Sequence, residues 1–165
     1  MERVADNSII EVNSETFSQI RGFMEENGII PMDSIRQIKN GRNSQVYLIE
    51  KINDKWIVKR YHRHVNDVRN RLKNEFDFLS FLIDNEVNQV AKPIACDFEK
   101  NLGLFSHLPG VIPKTINGNL VNQACEFIRQ TNEFRNTESA KRFPKASEAC
   151  FSIMSHLICV KKRGT

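Results

Sequence analysis

The residues best suited to chemistry are a lysine and a glutamate sixteen positions apart, Lys59 and Glu75. Lys59 stands inside Trp56-Ile57-Val58-Lys59-Arg60-Tyr61, a run rich in β-branched and aromatic residues that reads as a strand. A solvated lysine is out of place among such neighbours. Glu75 follows Leu72 by three residues and precedes Leu79 by four, so on a helix it projects from the apolar face. A lone carboxylate there is costly and requires a cation. A strand lysine and a glutamate on the next helix can meet in space, and the paired lysine then offers an oriented positive charge to a phosphate. Upstream, Gly41-Arg42-Asn43-Ser44 separates two strand patterns. A glycine at this point can take positive φ and bring backbone N–H groups close to an anion. Plainer readings remain open: Gly41 as an ordinary hairpin turn, Glu75 as the partner of Arg71 one helical turn back, Lys59 as an exposed strand lysine.

The elements that must position these residues can be taken in chain order. Ser14 is placed to cap a helix over Glu15 to Glu26, with Phe17, Ile20, Phe23 and Met24 as its apolar stripe and Asn27-Gly28 as its stop. Ser34 to Asn40 reads as the first strand. In the second, Val46, Leu48 and Glu50 face one way and Gln45, Tyr47 and Ile49 the other, before a turn at Asn53-Asp54. After the strand carrying Lys59, helical periodicity runs from Val65 to Asn85 through Val65, Val68, Leu72, Phe76, Leu79 and Leu82. Val90 to Asp97 and Leu102 to His107 read as two more strands around Glu99-Lys100-Asn101. Leu108-Pro109-Gly110 breaks the pattern, and a linker with Pro113 leads to two amphipathic helices, the second starting near Pro144. Three regions follow from this: residues 1–33 as a helix and linker, 34–110 as a lobe, and 111–165 as a linker and two helices.

Composition narrows the classes of function. With 165 residues, 40% hydrophobic and 27% charged, the chain reads as a globular protein of about one domain. A net charge of +4 suits anionic ligands but is too small to argue for nucleic acid or a membrane surface. The basic run from Arg60 to Lys73 lacks the interleaved aromatics that base stacking needs, so a solvated helix face is the better reading. Cys96, Cys125, Cys150 and Cys159 contain no C-x-x-C pair and read as buried thiols in a reducing cytosol rather than as disulfides or a zinc site. Cys150 and His156 share a helix but not a face. No signal peptide or spanning segment is legible, and a cytoplasmic location is expected.

The order helix, glycine loop between two strands, strand with lysine, helix with glutamate, two strands and a Pro-Gly break resembles the N-terminal lobe of the kinase fold. Within that fold the chain is similar to the aminoglycoside phosphotransferase family, which includes choline-kinase-like small-molecule kinases. The resemblance rests on Gly41-x-Asn43-Ser44-x-Val46-Tyr47, Trp56-Ile57-Val58-Lys59-x-Tyr61, Arg71-Leu72-x-x-Glu75-x-x-Phe78-Leu79 and Leu104 to Gly110. It implies an α+β fold: a five-stranded antiparallel sheet with a glutamate-bearing helix, followed by the first helices of an incomplete C-terminal lobe. It also implies ATP as ligand, with magnesium in the complete enzyme, and phosphorylation of a small-molecule hydroxyl. In those terms Gly41, Asn43 and Ser44 cover the phosphates, Lys59 contacts the α- and β-phosphates, and Glu75 holds Lys59. Val46 packs on the base, and the backbone of Ser106, His107 and Leu108 hydrogen-bonds adenine.

One expected part is missing. The family's catalytic loop, His-Gly-Asp or a relative, and its metal-binding aspartate motif do not occur after Gly110. Asp97-Phe98-Glu99 precedes the break and lies on a strand end, and His62-Arg63-His64 with Asp67 sits at the start of the helix bearing Glu75, so neither can serve. No catalytic or metal-binding residue is therefore assigned. The expectation is a truncated kinase, inactive alone, whose C-terminal helices self-associate through exposed apolar faces. The alternative is a non-catalytic, pseudokinase-like interaction module.

Overall fold

The structure is a computed structural model that describes residues 13–41, 43–63, 69–144 and 153–163. Helix α1 spans Ser14–Glu26 and is capped by Asn13, whose side chain accepts the Thr16 N–H at 2.8 Å. Sequence reasoning put the cap at Ser14. Asn13 wins because its short amide reaches the third N–H of the first turn, as an N-cap side chain does. Asn27 closes the helix, and Gly28 follows at φ 73°.

Five strands form one antiparallel sheet. They are β1 Ser34–Asn40, β2 Ser44–Lys51, β3 Asp54–Tyr61, β4 Pro93–Asp97 and β5 Leu102–Ser106, in spatial order β1-β2-β3-β5-β4. The β2–β3 turn is Ile52-Asn53, one residue earlier than expected, because Lys51 pairs with Asp54. The register puts Ile52 at φ 38°, and Asp33 Oδ2 accepts its N–H.

The sheet's two faces do different work. Tyr47 and Ile49 of β2, Val58 of β3, and Leu102 and Leu104 of β5 pack with Ile20, Phe23 and Met24 of α1 into the main hydrophobic core. The period-2 alternation sends the neighbouring residues, including Val46, Lys59 and Gly103, to the opposite face. That second face is met by helix α2, Arg71–Asp84, which contacts β4 and β5. Its cap is Asn70, which accepts the Lys73 N–H at 2.9 Å. The helix thus starts later than its hydrophobic period suggested; Val65 and Val68 lie outside the described residues.

Beyond β5 come α3 Gly118–Glu133, a one-turn α4 Glu138–Lys141 absent from the sequence reading, and α5 Ile153–Arg163. Residues 145–152, with Ala146 and Cys150, lie outside the described part. Neither α3 nor α4 has a buried residue, and Cys125 on α3 is exposed rather than buried as its type suggested. The segment from Phe134 to Phe143 docks on α2 through rings: Phe81 meets Phe134 at 6.0 Å and Phe143 at 5.3 Å, and Phe78 meets Phe143 at 5.6 Å. All three pairs are edge-on, the geometry aromatic quadrupoles favour. Ile153, Met154, Leu157, Ile158 and Val160 of α5 are exposed.

Candidate functional site

The site is assembled from β3 and α2. Lys59 and Tyr61 are two residues apart on β3 and therefore share a face. Glu75 lies one turn into α2. Its Oε1 accepts a hydrogen bond from Lys59 Nζ, and its Oε2 accepts one from the Tyr61 hydroxyl at 2.8 Å. The carboxylate is thus held at both oxygens. The Lys59 and Glu75 side chains keep 27% and 34% of their exposure, so the ion pair is sheltered but open on one side. Lys59 Nζ also sits 5.3 Å from the centre of the Phe105 ring, where the ring's electron-rich face favours a cation.

Tyr61 is the strongly perturbed acid of the site. Burial pushes its hydroxyl far above the usual tyrosine range, and the negative charge of Glu75 and the hydrogen bond to it push the same way. It is a neutral donor at all ordinary pH values. Tyr47, on the core face, is also raised, chiefly by burial.

Neighbouring positions fall into a row. Val46 on β2 lies directly opposite Lys59, and Gly103 on β5 lies opposite it on the other side. Gly103 is required by α2: a Cβ there would stand 2.8 Å from Leu72 Cδ1 and 2.7 Å from the Phe105 ring. At the Tyr61 end, Asn43 and Ser44 join Tyr61, Glu75, Arg71 and Phe143 in lining a cleft of about 790 Å³.

The β1–β2 loop differs from its sequence reading. The Gly41 N–H donates to Ser44 O at 2.9 Å, closing the hairpin, so that donor is not turned outward. Gly41 is not among the positive-φ glycines; a Cβ there would instead lie 3.2 Å from Ser44 O. At the far end of β5, the Ser106 N–H donates to Lys92 O and its hydroxyl accepts the Lys92 N–H, each at 2.8 Å. His107 and Leu108 follow in the irregular segment after β5. The loop and this segment therefore sit at opposite ends of β3, since Ser44 pairs with Tyr61 and Ser106 with Trp56. Lys59 lies between them.

Asp97 Oδ1 accepts the N–H groups of Glu99 and Lys100, and Oδ2 pairs with Lys100 at 3.0 Å. These contacts hold its carboxyl below the usual range and make it a turn former. His64 and Asp67 lie outside the described residues. Sequence reasoning gave no role to Tyr61, Phe105 or Gly103. Alternation from Lys59 would have placed Tyr61 beside it; the other two depend on which strand pairs with β3.

The profile of the phosphotransferase enzyme family (APH) matches residues 34–147, more than half of the chain. The chain belongs to this family. No individual curated protein matches it with significance. The match begins at the first residue of β1 and covers the sheet, α2 and the segment docked on it. The α+β arrangement of a five-stranded antiparallel sheet followed by helices is that of a kinase-like N-terminal lobe. Phosphotransferases of this family generally use ATP. Among the described residues, no helix is long and apolar enough to cross a membrane.

Proposed function

We propose that this chain is the nucleotide-gripping portion of an ATP-dependent phosphotransferase acting on a small-molecule hydroxyl, and that these 165 residues do not complete the reaction alone. The carrying observation is the charged pair of Lys59 and Glu75, fixed on the face opposite the main core. The oriented ammonium takes the α- and β-phosphates. Asn43 and Ser44 border the phosphates, Val46 lies against the base, and the backbone from Ser106 to Leu108 meets the adenine edge. The spacing supports this reading. Ser106 is three residues along β5 from Gly103, the partner of Lys59, on the order of 10 Å away. A nucleoside laid along β3 bridges that gap. Because the Ser106 N–H is already engaged, the donors left to this segment are those of His107 and Leu108.

ATP supplies the transferable phosphoryl group. Neutralising charge on it in the transition state is ordinarily the task of metal ions, with an aspartate to orient the acceptor. Among the described residues no three His, Cys, Asp or Glu side chains lie together, and the sequence contains no aspartate after Asp97. The described residues therefore offer no fitting set of metal ligands. A second reading is a non-catalytic module that kept the lobe for binding a protein.

Titration calorimetry with ATP and ADP separates the two. The first reading expects binding that Lys59→Ala weakens by about tenfold or more, the scale of one lost charge-assisted contact. Lys161→Ala, on exposed α5, leaves it unchanged. Equal affinity in wild type and Lys59→Ala refutes the phosphate assignment. A folded wild type that binds no nucleotide favours the second reading.

A further inference from the structure

Glu75 can hold Lys59 in one place only if the carboxylate itself is held. A side chain with three rotatable bonds and one partner sweeps an arc, and its partner sweeps with it. Here the second oxygen is tied: Tyr61 Oη donates to Glu75 Oε2 at 2.8 Å, while Lys59 takes Oε1. Tyr61 is well placed to act as a fixed post. It is 7% exposed, and its backbone N–H donates to Asn101 O at 3.0 Å, tying the end of β3 to the residue before β5. Its ring is placed by two side-chain torsions, fewer than a lysine or an arginine would have to fix. The hydroxyl is neutral, so it orients the carboxylate without competing for the charge that Lys59 answers. Alternation along β3 puts post and lysine on one face, and the carboxylate closes the triangle between strand and helix.

The structure assigns Tyr61 as a positioning residue of the nucleotide site: it fixes the Glu75 carboxylate through Oε2 so that Oε1 aims Lys59 at the phosphates. This inference rests on the nucleotide-gripping role proposed above, but its test does not need nucleotide.

Lysine acylation by a small anhydride, mapped by mass spectrometry, reads how firmly Lys59 is held. Tyr61→Phe keeps the ring and removes only the hydroxyl. It is expected to raise labelling at Lys59 by roughly tenfold, the factor carried by one hydrogen bond to a charged group. Lys100 and Lys141, paired elsewhere, stay unchanged. Glu75→Gln has the same effect, and the double variant adds little to it, because Tyr61 acts through Glu75. Unchanged Lys59 labelling in Tyr61→Phe, or two effects that multiply, overturns the assignment. A second measurement leaves Tyr61 in place. With 3-fluorotyrosine at both tyrosines, the fluorine resonance of Tyr61, identified by its loss in Tyr61→Phe or its persistence in Tyr47→Phe, shifts in Glu75→Gln. An unmoved resonance overturns the assignment as well. ADP titration of the wild type tests the nucleotide reading separately: absent binding defeats that reading, while labelling still decides whether Tyr61 positions the pair.

Discussion

Replacing Gly103 by alanine puts the packing of α2 on β5 to a direct test. An alanine Cβ at this position would lie 2.7 Å from Cε2 of Phe105 and 2.8 Å from Cδ1 of Leu72, both inside van der Waals contact. Both neighbours are buried, each 1% exposed, so relief must come from shifting side chains within the interior rather than from swinging into solvent. Phe105 is further confined by Phe76, 6.1 Å away, and by Lys59 over its ring. The remaining relief is movement of Leu72, and with it the first turn of α2. Overfilling a packed site of this kind costs about 1–3 kcal/mol. Without the clash the sign would reverse, because alanine in a strand interior is favoured over glycine by about 0.5–1 kcal/mol. Glu75 is one turn from Leu72, so the displacement carries its carboxylate away from Lys59. Urea denaturation is therefore expected to show Gly103→Ala less stable by about 1–3 kcal/mol, with Lys59 more open to acylation. Stability equal to or above wild type would mean that the helix does not approach the strand this closely.

The chain's tyrosines are Tyr47 and Tyr61, two in all, and both hydroxyls are raised. Absorbance titration of the native protein should show little tyrosinate at pH about 10, where tyrosines of the denatured chain are half ionised. A raised folded pKa gives stability that is complete below the unfolded value and declines above it, so stability should fall as pH rises past about 10. Each such tyrosine contributes up to about 1.4 kcal/mol per pH unit to that fall, and Tyr61→Phe should flatten it; an unchanged alkaline slope would count against the burial of this group. Ile52, 86% exposed at φ 38°, is strained by its branched side chain. Ile52→Asn should raise stability by about 1 kcal/mol in the same denaturation assay, and no gain would argue against that backbone geometry. Phe143→Ala removes edge contacts to Phe78 and Phe81. Loss of about 1–3 kcal/mol is expected, with faster hydrogen exchange over residues 134–144; unchanged exchange would show that the rings do not hold the segment.

Local signals carried much of the fold. Strand β1 begins and ends where its pattern does, and α1 stops at Asn27-Gly28 because those residues are poor helix continuers. The pairing of Lys59 with Glu75 was also readable, since a carboxylate on an apolar helical face demands a cation. Other features depended on longer-range geometry. The start of α2 was blurred because Val65 and Val68 continue the hydrophobic period of the helix, whereas Asn70 supplies the cap. The β2–β3 turn was displaced by one because Asn53-Asp54 is a better local turn than Ile52-Asn53, and strand register outweighed that preference. Helix α4 is a single turn, too short to leave a period. The role of Gly103 is invisible without knowing that Leu72 crosses above it.

The division between the sheet's faces has a consequence for how such a protein can vary. Arg60, immediately beside Lys59, points to the other side and donates to Thr16 Oγ1 of α1 at 3.0 Å. The cluster behind the strands is thus closed by α1, and a second buried set, Leu72 and Phe105 among it, sits in front under α2. Whatever docks in front beside Lys59 meets side chains outside the rear cluster, whose replacement leaves that cluster intact. A new ligand specificity could be written there residue by residue, with the scaffold indifferent to the change so long as α2 keeps its seat over Gly103.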